Sequence, residues 1–105
     1  MSQKLRNKYR HLISEDLETF ECPLGWEPIL DCLLEFVELD NDITGSSTEI
    51  YRISRHKETL IIYLLNAPHY VQHRASFAAA VMENYCPDTG APIKIIKNPE
   101  IIWKK

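Results

Sequence analysis

The strongest constraint on the fold is the spacing of acidic residues between positions 27 and 42. They recur at intervals of four, four, three and four residues, as Glu27, Asp31, Glu35, Glu38 and Asp42. This spacing aligns them along one side of an α-helix. The positions between them supply a wide apolar face of Ile29, Leu30, Leu33, Leu34, Phe36 and Val37. Pro28 suits the first helical turn, where its missing N–H has no intrahelical partner. The pattern predicts an amphipathic helix whose five acids form what we call the acidic ridge.

Charge is unevenly distributed along the chain, whose formal net charge is -3. Residues 1–10 contain four basic residues and no acid, and residues 11–49 contain eleven acids without a lysine or arginine. Residues 50–105 contain eight basic and four acidic residues. Acids near the carboxyl end of the predicted helix oppose its dipole, and like-charge neighbours cost roughly a few tenths of a kcal/mol per pair. The ridge therefore lowers stability unless a cationic group lies nearby.

Apolar periodicity predicts two further helices. The first covers Gln3 to about Ile13 and ends before a linker that reaches Pro23. The second follows Asn66, which is placed to cap it, has Pro68 in its first turn and ends by Tyr85.

Runs rich in β-branched and apolar residues predict two hairpins. The first joins residues 50–53 to residues 60–65 through a turn near Lys57, and the second joins residues 93–97 to residues 101–104. Residues 60–65 are apolar at every position, which predicts a strand that is covered on both faces or central in the sheet. The expected class is α+β, with a small, mostly antiparallel sheet of two hairpins covered by about three helices, in the order α-α-β-β-α-β-β.

Length and composition indicate one domain over residues 1–105. The chain has 105 residues and is 45% hydrophobic, which suits one packed core and is too short for two. No run reaches the roughly 18 apolar residues of a membrane span, and the amino terminus has no signal-peptide pattern, so we expect a cytoplasmic protein. Three widely spaced cysteines favour free thiols over a disulfide framework.

Catalytic and metal-binding patterns are weak in this sequence. It contains no Gly-rich phosphate loop, His-Glu-x-x-His or Gly-x-Ser-x-Gly, so neither an enzyme nor a cofactor is expected. His69 and His73 share one helix face, but two ligands are too few for a metal site. For Cys86, the nearby Glu83 and Asp88 are expected to raise the thiol pKa and oppose a role as nucleophile.

Three segments resemble motifs in a family of small uncharacterised bacterial and phage proteins. Gly25-Trp26 opens the amphipathic helix as the family's Gly-Trp does. Residues 53–63 resemble the family hairpin Ile-Lys-Glu-Lys-Phe-Gly-Gly-Leu-Arg-Phe-Tyr, with Ile53, Leu60 and Tyr63 in register. Residues 86–92 resemble the family motif Cys-x-x-Cys-Gly-x-Pro, which implies a small zinc site. Together these segments span roughly residues 24 to 105.

The departures from this family remove the implied metal site. Thr89 stands where the second cysteine of the motif belongs, and the chain ends at Lys105, before the family's later cysteine. Of the four ligands that a structural zinc needs, only Cys86 remains. The resemblance therefore supports the fold, and we expect no metal.

Two interpretations of function remain open, and both are non-enzymatic. In the favoured one, the acidic ridge binds a cationic protein partner, which includes inhibition by mimicry of the phosphate backbone. In the alternative, basic residues of the hairpins bind nucleic acid. The candidates for that role are Arg52, Arg55, Lys57, Lys94, Lys97, Lys104 and Lys105. Oligomeric state and partner identity do not follow from the sequence.

Overall fold

The computed structural model describes residues 3–93. The helices are α1 (Gln3–Lys8), α2 (Glu27–Thr44) and α3 (His69–Met82). The strands are β1 (Thr19–Phe20), β2 (Glu49–His56) and β3 (Thr59–Leu65), and short 3-10 turns cover Arg10–Leu12 and Leu24–Trp26. Within residues 3–93 no helix combines the length and apolar composition that a membrane span requires.

The α+β class and the first hairpin are confirmed. β2 and β3 pair antiparallel around the turn at Lys57 and Glu58, with Ile53 opposite Ile62. The short strand β1 was not predicted, and it pairs parallel to β2. The described sheet is therefore mixed, in the order β1-β2-β3, and the predicted element order was wrong at this point. The predicted strands at 93–97 and 101–104 lie outside the described residues, apart from Ile93.

One face of the sheet packs against the hydrophobic core. Ile50, Ile53 and Leu60 point to this face and are at most 1% exposed. Buried side chains from all three helices complete the same apolar cluster, among them Leu5, Leu30, Leu34, Val37, Val71 and Met82. The helices thus cover the sheet on the side that its buried residues face.

β3 is the outer strand of the sheet in the described part of the chain. Leu60 is buried, and Ile62 and Leu64 are partly buried against the core, whereas Tyr63 is 53% exposed. The expectation of a strand covered on both faces was therefore wrong for these residues. The apolar side chains on the outer face of β3 instead pair within the sheet, as Tyr63 does with the ring of Tyr51 at 5.2 Å between centroids.

Gly45 ends α2, whereas Asn66 does not cap α3 as the sequence predicted. α2 continues to Thr44 and stops at Gly45, which adopts a left-handed φ of 77° and donates its N–H to the carbonyl of Asn41. Asn66 also adopts a left-handed φ, of 59°, and ends β3 rather than capping α3. The residue before α3 is Pro68, and no side chain caps this end.

Gly25 and Trp26 bond the start of α2 to the turn that follows α3. The N–H of Gly25 donates to the carbonyl of Pro87 at 2.7 Å, and the indole N–H of Trp26 donates to the carbonyl of Tyr85 at 2.9 Å. A Cβ on Gly25 would lie only 2.3 Å from the carbonyl oxygen of Cys86. Glycine is required here because two backbone segments touch.

Replacing Gly25 by Ala is expected to destabilise the protein by about 1–3 kcal/mol, because the added methyl overpacks a backbone contact. The control is Gly45→Ala, where an added Cβ meets nothing within 4 Å and only the positive φ is penalised, by roughly 1 kcal/mol. Urea denaturation of both variants measures the difference. A loss at position 25 no larger than that at position 45 would contradict the close contact.

The two faces of β3 are expected to respond differently to truncation. Leu60→Ala should cost about 2–5 kcal/mol because it empties a buried site. Ile61→Ala, on the outer face, should cost less than about 1 kcal/mol. Equal losses by chemical denaturation would show that both faces of the strand are covered.

Candidate interaction surface on helix α2

The five acids of the ridge comprise an inner group of Asp31 and Glu38, an outer group of Glu35 and Asp42, and Glu27 at the start of the helix. The inner group contacts the amino-terminal segment: Lys8 pairs with Asp31 at 3.1 Å, and His11 pairs with Glu38 at 2.6 Å. A cationic group near the ridge is thus supplied by the chain itself. Glu27, the first acid, is half-buried, and its charge adds to the burial that raises the pKa of Cys22 to about 12.

Tyr9 holds the amino-terminal segment on α2. Its side chain is fully buried, and its hydroxyl donates to the carboxylate of Asp31 and contacts that residue's carbonyl oxygen at 3.1 Å. Burial, and then this hydrogen bond, raise the pKa of the Tyr9 phenol well above its ordinary value. The same bond lowers the pKa of Asp31. Asp31 therefore belongs to the internal structure of the fold.

Glu35 and Asp42 form the outer group of the ridge. Both side chains are exposed. Within residues 3–93, neither carboxylate has a lysine, arginine or histidine within salt-bridge distance. Among the described residues, nothing cationic compensates these two charges, and both face solvent.

An apolar stripe runs along α2 beside the outer acids. It consists of Cys32, Phe36, Leu39 and Ile43, and we call it the outer stripe. Leu39 is 57% exposed and Ile43 is 73% exposed. A shallow groove contains Cys32, Phe36 and Leu39 together with Glu35, Glu38 and Asp42, so apolar and acidic side chains share one surface.

α3 borders the outer stripe on the side away from the acids. Phe77 of α3 is 69% exposed, and the guanidinium of Arg74 lies 4.6 Å from the ring centroid of Phe36. A groove of about 210 Å³ runs between the two helices here and is lined by Cys32, Phe36, Arg74 and Phe77, among others. The hydroxyl of Tyr70 donates to the buried Asp40 at 2.6 Å and fixes α3 to the carboxyl-terminal end of α2.

The sequence contains a signal for the outer stripe that the prediction did not use. Positions 32, 36, 39 and 43 are spaced by four, three and four residues, the same pattern as the acids but displaced around the helix. The prediction grouped Phe36 with the core face. In the structure the predicted core face has two parts. Leu30, Leu33, Leu34 and Val37 are buried, whereas Phe36 is only partly buried and belongs to the outer stripe.

The turn after α3 keeps a compact conformation without a second cysteine. Hydrogen bonds from the Thr89 hydroxyl, and then from the backbone N–H groups of Thr89 and Asp88, lower the pKa of Cys86. The charge of Asp88 raises this pKa, as expected, but the hydrogen bonds outweigh it, so the expected net increase was wrong. The Thr89 oxygen also accepts the N–H of Ala91 at 3.2 Å. The Thr89 hydroxyl thus holds the turn together by hydrogen bonds.

The other candidate ligands do not converge. The imidazoles of His69 and His73 lie on an exposed part of α3, with centroids 6.4 Å apart. In the described part of the chain, no three histidine, cysteine, aspartate or glutamate side chains come together as a metal site would require.

The hairpin arginines make contacts within the fold. Arg52 pairs with Glu18 at 3.4 Å. Arg55 lies 5.7 Å from the ring centroid of Trp26 and donates to the carbonyl of Lys57. The four basic residues Lys94, Lys97, Lys104 and Lys105 lie outside the described residues.

Comparison with models of protein families, with characterised proteins and with solved structures finds no match to this chain.

Tyr9→Phe is expected to cost about 1–3 kcal/mol near neutral pH, because the hydrogen bond from the buried Tyr9 hydroxyl to the charged carboxylate of Asp31 is lost. The advantage of the wild type should shrink as pH rises above about 10, where an unfolded tyrosine ionises, since the folded state resists that ionisation. It should also shrink below about pH 4, where unfolded aspartate takes up a proton, since the folded state favours the Asp31 carboxylate.

The measurement is the free energy of unfolding in urea between pH 3 and pH 11. Tyr63→Phe is the control, because Tyr63 is exposed and its change should stay within about 0.5 kcal/mol. A wild-type advantage that stays constant over this range would contradict the coupling of Tyr9 to Asp31.

Proposed function

We propose that this chain is a non-catalytic binding module that engages a cationic protein partner through the acidic face of α2. The observation that carries the proposal is the exposure of Glu35 and Asp42 without a basic partner in residues 3–93. Asp31 and Glu38, by contrast, are paired with Lys8 and His11. A partner thus meets a surface on which part of the charge is already compensated and part is free.

Glu35 and Asp42 are better suited to attract a basic partner at long range than to form tight ion pairs with it. Exposed ion pairs contribute only about 0–1 kcal/mol each, whereas complementary potentials raise the rate of association. Screening limits this attraction to about 8–10 Å at physiological ionic strength. The expected role of Glu35 and Asp42 is therefore to steer and orient a basic partner, and the adjacent apolar residues supply the contact area.

Nucleic-acid binding through the hairpins has less support. Arg52 is paired with Glu18, and Arg55 contacts Trp26 and the backbone of Lys57. Both arginines are therefore less free to contact phosphates than the sequence suggested. Among the described basic candidates, Lys57 alone is exposed and without such a contact. A single exposed lysine does not make a phosphate-binding surface.

The decisive experiment compares two charge-neutralised variants of the full chain. Glu35→Gln with Asp42→Asn removes the outer acids. Glu15→Gln with Glu21→Gln changes the net charge equally at exposed positions outside α2. Crosslinked capture from the native cell with mass spectrometry should give a basic protein with the wild type and the control pair but not with the outer-acid pair.

Kinetics with that purified protein complete the test. The outer-acid pair should slow association by roughly three- to tenfold at low salt and flatten its salt dependence, with little change for the control pair. Equal association rates for both variants would reject the acidic face as the binding surface. Capture of nucleic acid that depends on Lys57 would favour the alternative function.

A further inference from the structure

We propose, on the basis of the function proposed above, that the partner docks on α2 as an amphipathic α-helix. Its apolar side covers the outer stripe of Cys32, Phe36, Leu39 and Ile43, and its lysines or arginines line the flank that faces Glu35, Glu38 and Asp42. Apolar contact provides most of the affinity, and the acids set orientation and register.

The spacing of the outer stripe fits a helix–helix seam. Intervals of four, three and four residues keep side chains in line along the axis, as in the apolar seam of paired helices. From Cys32 to Ile43 the stripe is about 16 Å long at 1.5 Å per residue. That length matches about three turns of a docked helix.

The backbone of this surface also selects a helix over an extended peptide. Residues 32 to 43 lie inside α2, where every backbone N–H, and every C=O up to Asn41, is bonded in the helix or its cap. Before its last turn the face therefore offers an occupant no main-chain hydrogen bonds, and any segment buried there has to satisfy its own. A helix does so, whereas an extended strand does not.

The charges give the docked helix a direction. Glu35, Glu38 and Asp42 lie on one side of the outer stripe, and Arg74 lies on the other, stacked on Phe36. A basic flank on the partner is attracted to the first side and repelled from the second. The groove of about 210 Å³ between α2 and α3, with the exposed Phe77 at its border, accommodates one apolar anchor side chain.

A second copy of this chain fits the surface less well. Two such helices that pair antiparallel bring like flanks together, so Glu35 and Asp42 of one copy would face the acids of the other. Like charges in contact disfavour that arrangement. The charge pattern therefore disfavours an antiparallel pair of copies, and the acids favour a partner of opposite sign.

The probe is a synthetic 18-residue helical peptide with leucines at four-three-four spacing, lysines along one flank, and alanine and glutamine elsewhere. One control peptide has the same composition in scrambled order, and a second carries glutamates in place of the lysines. Binding to the full-length protein is followed by fluorescence polarisation, and helix formation is followed by circular dichroism.

Two pairs of protein variants separate apolar contact from charge. Leu39→Gln with Ile43→Gln should weaken binding of the probe at least tenfold, because burial of these two side chains is lost. The fold should be unaffected, because both side chains are largely exposed. Leu24→Gln, at an apolar residue that is 63% exposed but outside the stripe, is the control and should leave affinity unchanged. Glu35→Gln with Asp42→Asn should weaken binding only a few-fold and flatten its salt dependence.

Preference for the designed peptide over both controls, with loss in the Leu39 and Ile43 variant, supports helix docking. Equal binding of the scrambled peptide, or unchanged affinity in that variant, overturns it. A wild type that sediments as a dimer and becomes a monomer in the same variant also overturns it in favour of a second copy. Failure of docking leaves the proposed function intact if capture of a basic protein still depends on Glu35 and Asp42, so the two failures are distinguishable.

Discussion

The parts of this fold are joined where Gly25 and Trp26 bond to the turn that follows α3. The buried indole donates to the backbone after α3, and its ring lies beneath Arg55 at the end of the hairpin. The Trp26 side chain, at the start of α2, thus contacts both the end of β2 and the turn at 85–90. Because α2 begins at the next residue, these contacts also fix which side of α2 faces the core. The position of the acids and of the outer stripe follows from it.

A second constraint comes from charge. The acids on α2 would repel one another along the helix, and the amino-terminal segment reduces that cost where Lys8, Tyr9 and His11 meet Asp31 and Glu38. In the described residues, compensation reaches only the side of the ridge that the amino-terminal segment contacts, through Lys8 at the end of α1 and His11 beyond it. Glu35 and Asp42, which lie farther around α2 toward the outer stripe, stay in solvent. The placement of this segment therefore decides which acids are structural and which are free.

Local patterns in the sequence were sufficient for α2, α3 and the hairpin, because helical periodicity and β-rich runs act over short distances. They were insufficient where a distant segment decides the result. The pairing of Lys8 with Asp31 spans 23 residues, and β1 exists only because Thr19 and Phe20 lie beside Arg52 and Ile53. Asn66 was interpreted as a cap, although its tolerance of a positive φ serves equally well to end β3. For the acidic face, spacing predicted the alignment, while the split into inner and outer groups required the tertiary structure.

The described residues leave two apolar surfaces exposed, the edge of β3 and the outer stripe of α2. The two surfaces bind different kinds of ligand. Among the described residues β3 is an outer strand, and such an edge suits another strand of almost any apolar sequence. Before the last turn of α2, the outer stripe has no free backbone groups, so recognition there depends mainly on side chains. It also has acids on one border and Arg74 on the other, which penalises a ligand docked in the wrong direction. Selectivity arises from such differences in free energy between right and wrong partners. For this reason α2, rather than the edge of the sheet, is the surface on which a specific partner is expected.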